Sequence, residues 1–288
     1  MKSSKFVAAK LARGRVAVGL LALCLVLLVT ACSSEDSGHP ASAGPLVVTG
    51  SSTVAPLISD LAKAYEARNP GVRVDVQTGG SSRGISDVRQ DLAAIGMVSR
   101  ALGETEADLT GHLLALDGVA LIVHASNSVA DLSPEQVIEI YAGRISDWAV
   151  VGGSPGPITV VHKADGRSTQ DVFLGHFKMD PADVRASVVI GDNEQGVKSV
   201  AGNPGAIGYV SIGAAEASEK LQVPIKLLAL NGHAATSEAV AQGSFPLVRE
   251  LNLVTKGDLA PLAQNFIAFA RSGDARKFVE AHYFVAVD

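Results

Sequence analysis

LVVTGSSTVAPLISDLAKAY, residues 46–65, holds a strand, a turn of small residues and a helix in one continuous segment. The apolar run at 46–48 predicts a buried strand. Apolar residues within 54–65 recur at intervals of three and four, which predicts a helix, and Asn69-Pro70-Gly71 ends it. A strand that leads through a short turn into a helix is the building unit of α/β proteins.

The same alternation continues along the rest of the chain. Predicted strands cover residues 72–76, 95–98, 117–123, 158–161, 206–210, 224–230 and 247–254. Predicted helices include one that carries Ile85, Val88 and Leu92, one opened by a capping box of Ser133 and Gln136, and those at 170–177, 194–201, 259–271 and 275–282. The alternation predicts an α/β fold with mainly parallel sheets, in which ligands bind beside the carboxyl ends of strands.

Residues 1–31 have the pattern of an export signal. Basic residues precede an apolar run at 16–29, which is shorter than the roughly 20 residues that span a bilayer. The run ends in Val29-Thr30-Ala31-Cys32, which resembles the lipobox of bacterial lipoproteins and implies cleavage before Cys32 and lipid on its thiol. An ordinary signal peptide, or an anchor helix with a chance cysteine, is the alternative. Residues 32–45 are rich in Ser, Gly, Pro and Ala and predict a flexible tether.

Charge and cysteine usage narrow the classes of partner. The formal net charge is −5, and removal of residues 1–31, with five basic and no acidic side chains, would take it to −10. This charge argues against nucleic acid, which needs a basic face, but permits a small anion held by local backbone N–H groups.

With Cys24 removed and Cys32 lipidated, the mature chain would have no disulfide. The scattered histidines form no metal motif, so we expect no metal and no cofactor.

Three strand-to-helix turns share glycine and small hydroxyl residues. They are Thr49-Gly50-Ser51-Ser52-Thr53, Thr78-Gly79-Gly80-Ser81-Ser82-Arg83-Gly84 and Lys163-Ala164-Asp165-Gly166-Arg167-Ser168-Thr169. The first N–H groups of a helix lack internal partners, the helix dipole favours negative charge, and glycine lets the backbone approach a ligand closely. Together the turns predict an oxyanion site, although each turn alone could be a plain helix cap.

Several segments resemble phosphate-transporter substrate-binding proteins, in the same order and over essentially residues 46–288. These segments are 50–57, 79–85, 95–100, 116–120, 140–148, 203–209 and 245–249. The resemblance implies a two-lobed α/β periplasmic-binding-protein fold of the second type, with hinge-linked lobes and a ligand cleft. Lobe one would hold residues 46–122 and 245–288, and lobe two would hold residues 123–244.

The resemblance also implies a function and a site. A member of this family would be an extracytoplasmic protein, here anchored by lipid, that captures phosphate or a similar oxyanion. It would deliver this ligand to the permease of an ABC transporter, act as a monomer and not be an enzyme. The implied ligand-binding residues are Ser51, Ser52, Thr53, Ser81, Ser82 and Ser99 from lobe one and Lys163, Arg167, Ser168 and Thr169 from lobe two.

The third turn departs most from the family pattern. Lys163 stands where the family has arginine, and Arg167-Ser168 stands where it has serine–glycine. Lysine cannot make the two-pronged contact that arginine makes with an oxyanion, so Arg167 is the candidate to supply it. Ser82 replaces a glycine, and Ala94 lies where many members have aspartate.

Three other functions stay open. Gly80-Ser81-Ser82-Arg83-Gly84 matches the G-x-S-x-G motif of serine hydrolases, which would make Ser82 a nucleophile. Only two predicted strands precede this motif, whereas a hydrolase has several. A second possibility is a different ligand, such as another oxyanion or a phosphorylated metabolite. The third is a lipoprotein that keeps the fold for sensing or adhesion.

Overall fold

The computed structural model describes residues 44–287. The predicted signal peptide, Cys32 and the tether up to residue 43 lie outside the described residues. Within residues 44–287, no helix has both the length and the apolar character needed to cross a bilayer.

Strands and helices alternate along most of the described chain, in agreement with the predicted α/β class. The strands are β1 (Leu46–Gly50), β2 (Val74–Thr78), β3 (Ile95–Val98), β4 (Thr110–His124), β5 (Asp131–Leu132), β6 (Thr159–Lys163), β7 (Val188–Ile190), β8 (Ala206–Ser211), β9 (Ile225–Leu227), β10 (Ala229–Leu230), β11 (Val248–Thr255) and β12 (Val285–Ala286). The α-helices are α1 (Ala55–Arg68), α2 (Ser81–Arg89), α3 (Pro134–Tyr141), α4 (Ser168–Phe177), α5 (Asn193–Ala201), α6 (Ile212–Lys220), α7 (Ser237–Ala241), α8 (Pro261–Ala270) and α9 (Arg276–Ala281).

Most strands belong to one sheet with the order β2-β1-β3-β11-β4-β8-β6-β7, and β9 and β12 also pair with β4. The prediction of mainly parallel sheets was wrong, because parallel and antiparallel pairings are equally frequent in the described chain. Each antiparallel pairing found there involves β4 or β11. Strand β4 carries the chain from a first half, which contains β1 to β3, into a second half, which contains β5 to β10. Strand β11 brings the chain back to the first half. Both strands therefore run antiparallel to their neighbours.

Strand β4 is shared between two sets of partners. Its residues 110–118 pair with β11, and its residues 119–123 pair with β8. Residues 119–123 are at most 5% exposed, as expected for a strand that is covered on both faces. The predicted strand at 117–123 therefore corresponds mainly to the second part of β4, and the more polar first part was not predicted.

The two largest hydrophobic cores lie on either side of this change of partners. One includes Leu57 and Phe266, which pack with residues of β1, β3 and β11. The other includes Phe173 and Tyr209, whose rings are stacked with their centroids 3.9 Å apart. Full burial of one large apolar side chain contributes roughly 1.5–3 kcal/mol. Each half therefore has its own core, and β4 contributes to both.

Local sequence predicts some boundaries of helices and strands correctly but does not predict others. Ser133 Oγ accepts a hydrogen bond from Gln136 N–H, and the Gln136 side chain accepts from Ser133 N–H, which confirms the predicted capping box. Helix α6 was not predicted, because the buried face of IGAAEASEK is formed largely by small residues. The predicted strand at 224–230 is divided into β9 and β10, because β10 leaves β4 and pairs with β5.

Candidate functional site

Glycines bring the turn between β1 and α1 against the neighbouring turn before α2. Gly50 has a φ of +131°, and a Cβ at this position would collide with the carbonyl oxygen of Met97 and lie 3.1 Å from Gly84 Cα. Only glycine fits this close approach of three segments. Ser51 N–H then donates to the Met97 carbonyl at 2.8 Å, so the first hydroxyl residue of the turn is fixed beside the end of β3.

Hydrogen bonds join the hydroxyl residues of the first half into one cluster. Ser51 Oγ lies 3.0 Å from Ser99 Oγ, and Thr53 N–H donates to Ser51 Oγ at 3.2 Å. Ser99 N–H donates to Ser81 Oγ at 3.2 Å. All four residues are buried. Two turns and the end of β3 thus present their hydroxyl groups at the same place.

The N-terminus of α4 adds the second half of the molecule to this cluster. Strand β6 ends at Lys163, and α4 begins at Ser168. Ser168 is 2% exposed, and its Oγ has no hydrogen-bond partner among the described residues. An unsatisfied buried hydroxyl costs about 1–3 kcal/mol. This oxygen is therefore available to a bound group, together with the free N–H groups of the first helical turn.

Lys163 is a buried cation of the site. It is 2% exposed, and its Nζ donates to Asn193 Oδ1 at 3.1 Å. Burial, and next the charge of nearby Arg249, lower the pKa of Lys163 to about 7. The ammonium form is disfavoured here, and an anion in the cavity would favour it again.

The side chain of Arg167 lies between glycines of the two halves. A Cβ on Gly80 would lie 3.0 Å from Arg167 Cδ, and one on Gly191 would lie 3.4 Å from its Nη2. Within residues 44–287 the structure shows no hydrogen bond from this guanidinium to another side chain or to the backbone. Its donors are therefore available at the edge of the cavity that it lines.

A small cavity of about 10 Å³ lies where the three turns meet. Its lining consists of Gly80 and Gly191 together with the predicted residues Ser51, Ser52, Thr53, Ser81, Ser99, Lys163, Arg167, Ser168 and Thr169. The structure thus brings together every predicted ligand-binding residue except Ser82. The lining contains hydroxyl groups, two cations and glycine backbone, and no carboxylate from the described residues.

Ser82 lies at the edge of the site and is exposed. Its N–H donates to the carbonyl of Gly166 at 3.3 Å, which is a direct contact between the second and third turns. The described part of the chain shows no hydrogen bond between its hydroxyl and an imidazole. A serine nucleophile needs such a base, and the structure does not place one beside Ser82.

Three polar residues behind the cavity were not predicted as site residues. Arg249 and Asp117 form a buried ion pair, with Nη2 and Oδ2 2.8 Å apart. Arg249 also donates to Thr169 Oγ1 at 2.8 Å, and Asn193 donates to Thr53 Oγ1 at 3.1 Å. The sequence contains a partial signal, because Asp117 interrupts the apolar run at 113–123 of β4, which indicates a buried charge without identifying its partner. Buried charges are rare unless they are paired.

Ser168→Ala should separate ligand binding from stability. The change removes a buried hydroxyl without a partner, so the Tm of the ligand-free protein should stay the same or rise slightly. If the hydroxyl donates to a bound oxyanion, affinity should fall about tenfold. Thermal unfolding and calorimetric titration with the anion check both parts. Ser59→Ala is the control, because Ser59 Oγ donates to the Ala55 carbonyl within α1. Unchanged affinity in Ser168→Ala would show that its hydroxyl makes no contact with the ligand.

Comparison with known proteins gives consistent results for sequence and fold. The profile of the PBP superfamily domain matches residues 35–274. The phosphate-binding protein PstS of Bacillus subtilis (strain 168) is 27% identical over 281 residues, a match that covers 93% of this chain and 92% of that protein.

Two solved structures are similar over their whole length. A phosphate ABC transporter substrate-binding protein from Clostridium perfringens, crystallised with bound phosphate, has a TM-score of 0.79 and 30% identity. The match covers 85% of this chain and 100% of that chain. An ABC-type phosphate transport receptor from Vibrio cholerae has a TM-score of 0.70 and 31% identity, covering 84% of this chain and 100% of that chain.

Proposed function

Because this chain belongs to the phosphate ABC-transporter substrate-binding protein family, with its type II periplasmic-binding-protein fold, we propose that it captures inorganic phosphate and delivers it to an ABC importer. One observation carries the proposal. The cavity is lined by hydroxyl groups, two cations and the starts of α2 and α4, without a carboxylate among the described lining residues. Such a lining offers hydrogen-bond donors and positive charge, which favour an oxyanion over a cation or an apolar ligand.

The lining favours an anion through several independent contributions. Free N–H groups at a helix start donate to an anion, and the helix dipole adds partial positive charge. Lys163 and Arg167 supply formal positive charge from the third turn. Hydrogen bonds to a charged acceptor are shorter and stronger than those between neutral groups. The predicted ligand-binding residues keep their roles in this proposal, with Ser82 contributing at the edge of the site.

Capture by closure of two lobes is part of the proposal. The lobes are those implied by the sequence, 46–122 with 245–288 and 123–244. Strand β4 changes partners between Gly118 and Val119, which is a natural place for the halves to rotate. Arg100, which forms two hydrogen bonds with Glu106 in the first half, also lies 3.3 Å from Asp171 of α4. This contact would close the cavity, as in other hinge-closing binding proteins.

Inorganic phosphate at millimolar concentration should raise the Tm of the ligand-stripped protein. A ligand that binds only the folded state adds about 2.7 kcal/mol at a hundred times its Kd. Differential scanning calorimetry measures the shift, and sulfate at equal ionic strength controls for general salt stabilisation. The absence of a shift, or an equal shift with sulfate, would argue against phosphate as the ligand.

Cys32 is the lipid anchor in this proposal, which places the protein outside the cytoplasm and on the membrane surface. The support is the lipobox-like sequence at 29–32 and the tether at 32–45. Cys32→Ala should abolish incorporation of labelled palmitate, whereas Cys24→Ala should leave it intact because Cys24 lies in the cleaved segment. Labelling that persists in Cys32→Ala would rule out this anchor.

A further inference from the structure

Arg249 of β11 lies behind the cavity and touches a cavity residue from each half. It is 4% exposed. Its Nε and Nη2 donate to Asp117 Oδ2 at 3.0 and 2.8 Å. Its Nη1 donates to Thr169 Oγ1 at 2.8 Å, and its Nη2 lies 3.4 Å from Thr53 Oγ1. One buried guanidinium, fixed by Asp117, therefore contacts the threonines of the first and third turns.

These contacts decide which way the Thr53 hydroxyl can point. A guanidinium has only donors, so the oxygen of Thr53 must accept from Arg249. The same oxygen accepts from Asn193 Nδ2 at 3.1 Å. A hydroxyl oxygen has two lone pairs, and both are then used. The proton of Thr53 is left to be donated, and Thr53 lines the cavity.

The orientation of the Asn193 amide follows from the same reasoning. Its Oδ1 lies 3.1 Å from Lys163 Nζ and also accepts from the backbone N–H of Ser211 at 3.4 Å, and a backbone N–H can only donate. The amide oxygen must therefore face Lys163, and the amide nitrogen must face Thr53. Two chains of hydrogen bonds thus begin at the side chain of Lys163 or Arg249 and end at the Thr53 hydroxyl. Bonds in such a chain strengthen one another.

We propose that Arg249, held in place by Asp117, is a positioning residue that commits the hydroxyl group of Thr53 to donate to the bound oxyanion and turns the proton of the Thr169 hydroxyl away from itself. This role deepens the proposed function and rests on it. Because Thr53 has no lone pair left, it cannot accept a hydrogen bond from a protonated ligand oxygen, and an ionised oxygen is the stronger acceptor for its proton. The arrangement therefore also favours one orientation of a partly protonated anion. Two apolar side chains at these positions could stabilise the fold as well as the ion pair does, but they could not orient the threonine hydroxyl groups.

The test uses the full-length protein freed of ligand, with inorganic phosphate as the probe and calorimetry as the measurement. Asp117→Asn/Arg249→Met removes both charges together, so that no unpaired charge stays buried. It should bind phosphate about tenfold to hundredfold more weakly, because the hydrogen bonds that orient the threonines are lost. The control Arg89→Met/Asp108→Asn removes an exposed ion pair of 2.6 Å and should bind like the wild type.

A double-mutant cycle separates positioning from a merely structural role. Thr53→Val/Thr169→Val removes the hydroxyl groups themselves. If Arg249 acts through them, adding Asp117→Asn/Arg249→Met to the valine variant should weaken binding by no more than about twofold. If instead the fold losses in phosphate affinity of the two double variants multiply in the combined variant, the ion pair acts by another route and the proposal is overturned.

Arg249→Lys keeps the experiment decisive if the double variant does not fold. Lysine keeps a charge opposite Asp117 but cannot donate to both threonines with a planar fork, so phosphate affinity should fall about tenfold. Wild-type affinity in Arg249→Lys, or in the folded double variant, overturns the positioning role and leaves the proposed function intact. A wild-type protein that does not bind phosphate overturns the proposed function, and the positioning role with it.

Discussion

Arg249→Met is expected to lower the free energy of unfolding by about 3–5 kcal/mol, because it leaves the carboxylate of Asp117 buried without its counter-ion. The side chains of Arg249 and Asp117 are 1% and 0% exposed, so water cannot replace the missing guanidinium without a rearrangement. Urea denaturation of the ligand-free protein should show a lower midpoint with an unchanged slope.

Two further variants make this result interpretable. Adding Asp117→Asn should recover much of the lost stability, because a neutral amide can stay buried at lower cost and can still accept from Gly213 N–H. The exposed Arg89–Asp108 pair is the matched control, and its removal should cost about 0–1 kcal/mol. If Arg249→Met cost no more than this control, the buried pair would not be the structural element that its contacts indicate.

Arg167→Ala should weaken phosphate binding by one to several decades, or about 2–5 kcal/mol. Arg167 lines the cavity and its guanidinium has donors without a partner in the described chain, whereas the Lys163 ammonium is already bonded to Asn193. Lys163→Ala should therefore cost less. Calorimetric titration of both variants with the same anion measures the difference. Near-wild-type affinity in Arg167→Ala, with a large loss in Lys163→Ala, would make lysine the ligand cation and place Arg167 toward solvent.

The pH dependence of the two variants gives a second comparison. The pKa of Lys163 is lowered to about 7 in the free protein, chiefly by burial, so its ammonium form is present at pH 6 and largely lost at pH 8. Binding at pH 8 must then restore the proton, which costs affinity. The association constant of Lys163→Ala divided by that of the wild type should therefore be smaller at pH 6 than at pH 8. The corresponding ratio for Arg167→Ala should change less with pH, because an arginine side chain stays charged throughout and contributes only weakly to the lowered pKa of Lys163.

The parts of the site that could be predicted from the sequence are those that local sequence controls. Glycine and hydroxyl residues between an apolar run and a helical pattern identify each turn, and the ends of neighbouring strands bring such turns together. Ser82 shows the limit of this reasoning. It is next to Ser81 in the same helix start, but consecutive helical residues point in different directions. Ser81 is 1% exposed, whereas Ser82 is exposed at the edge.

The parts that could not be predicted depend on contacts between distant segments. Asp117 and Arg249 are separated by 132 positions, and nothing near either residue reveals its partner. The direction of a strand is equally hidden, because an apolar run reads the same whether its neighbours are parallel or antiparallel. For this reason the strand signals at 117–123 and 247–254 were found, but the mixed sheet that they produce was not.

Strand β4 constrains how the length of this chain can vary among related sequences. Adding or removing one residue in a strand turns the following side chains to the opposite face. In β4 that change would disturb two hydrophobic cores at once and would turn Asp117 away from Arg249. One extra residue is already accommodated, since Leu114 has no counterpart on β11. Insertions and deletions should therefore collect in surface loops such as 152–156, while the distance from this bulge to Asp117 stays fixed.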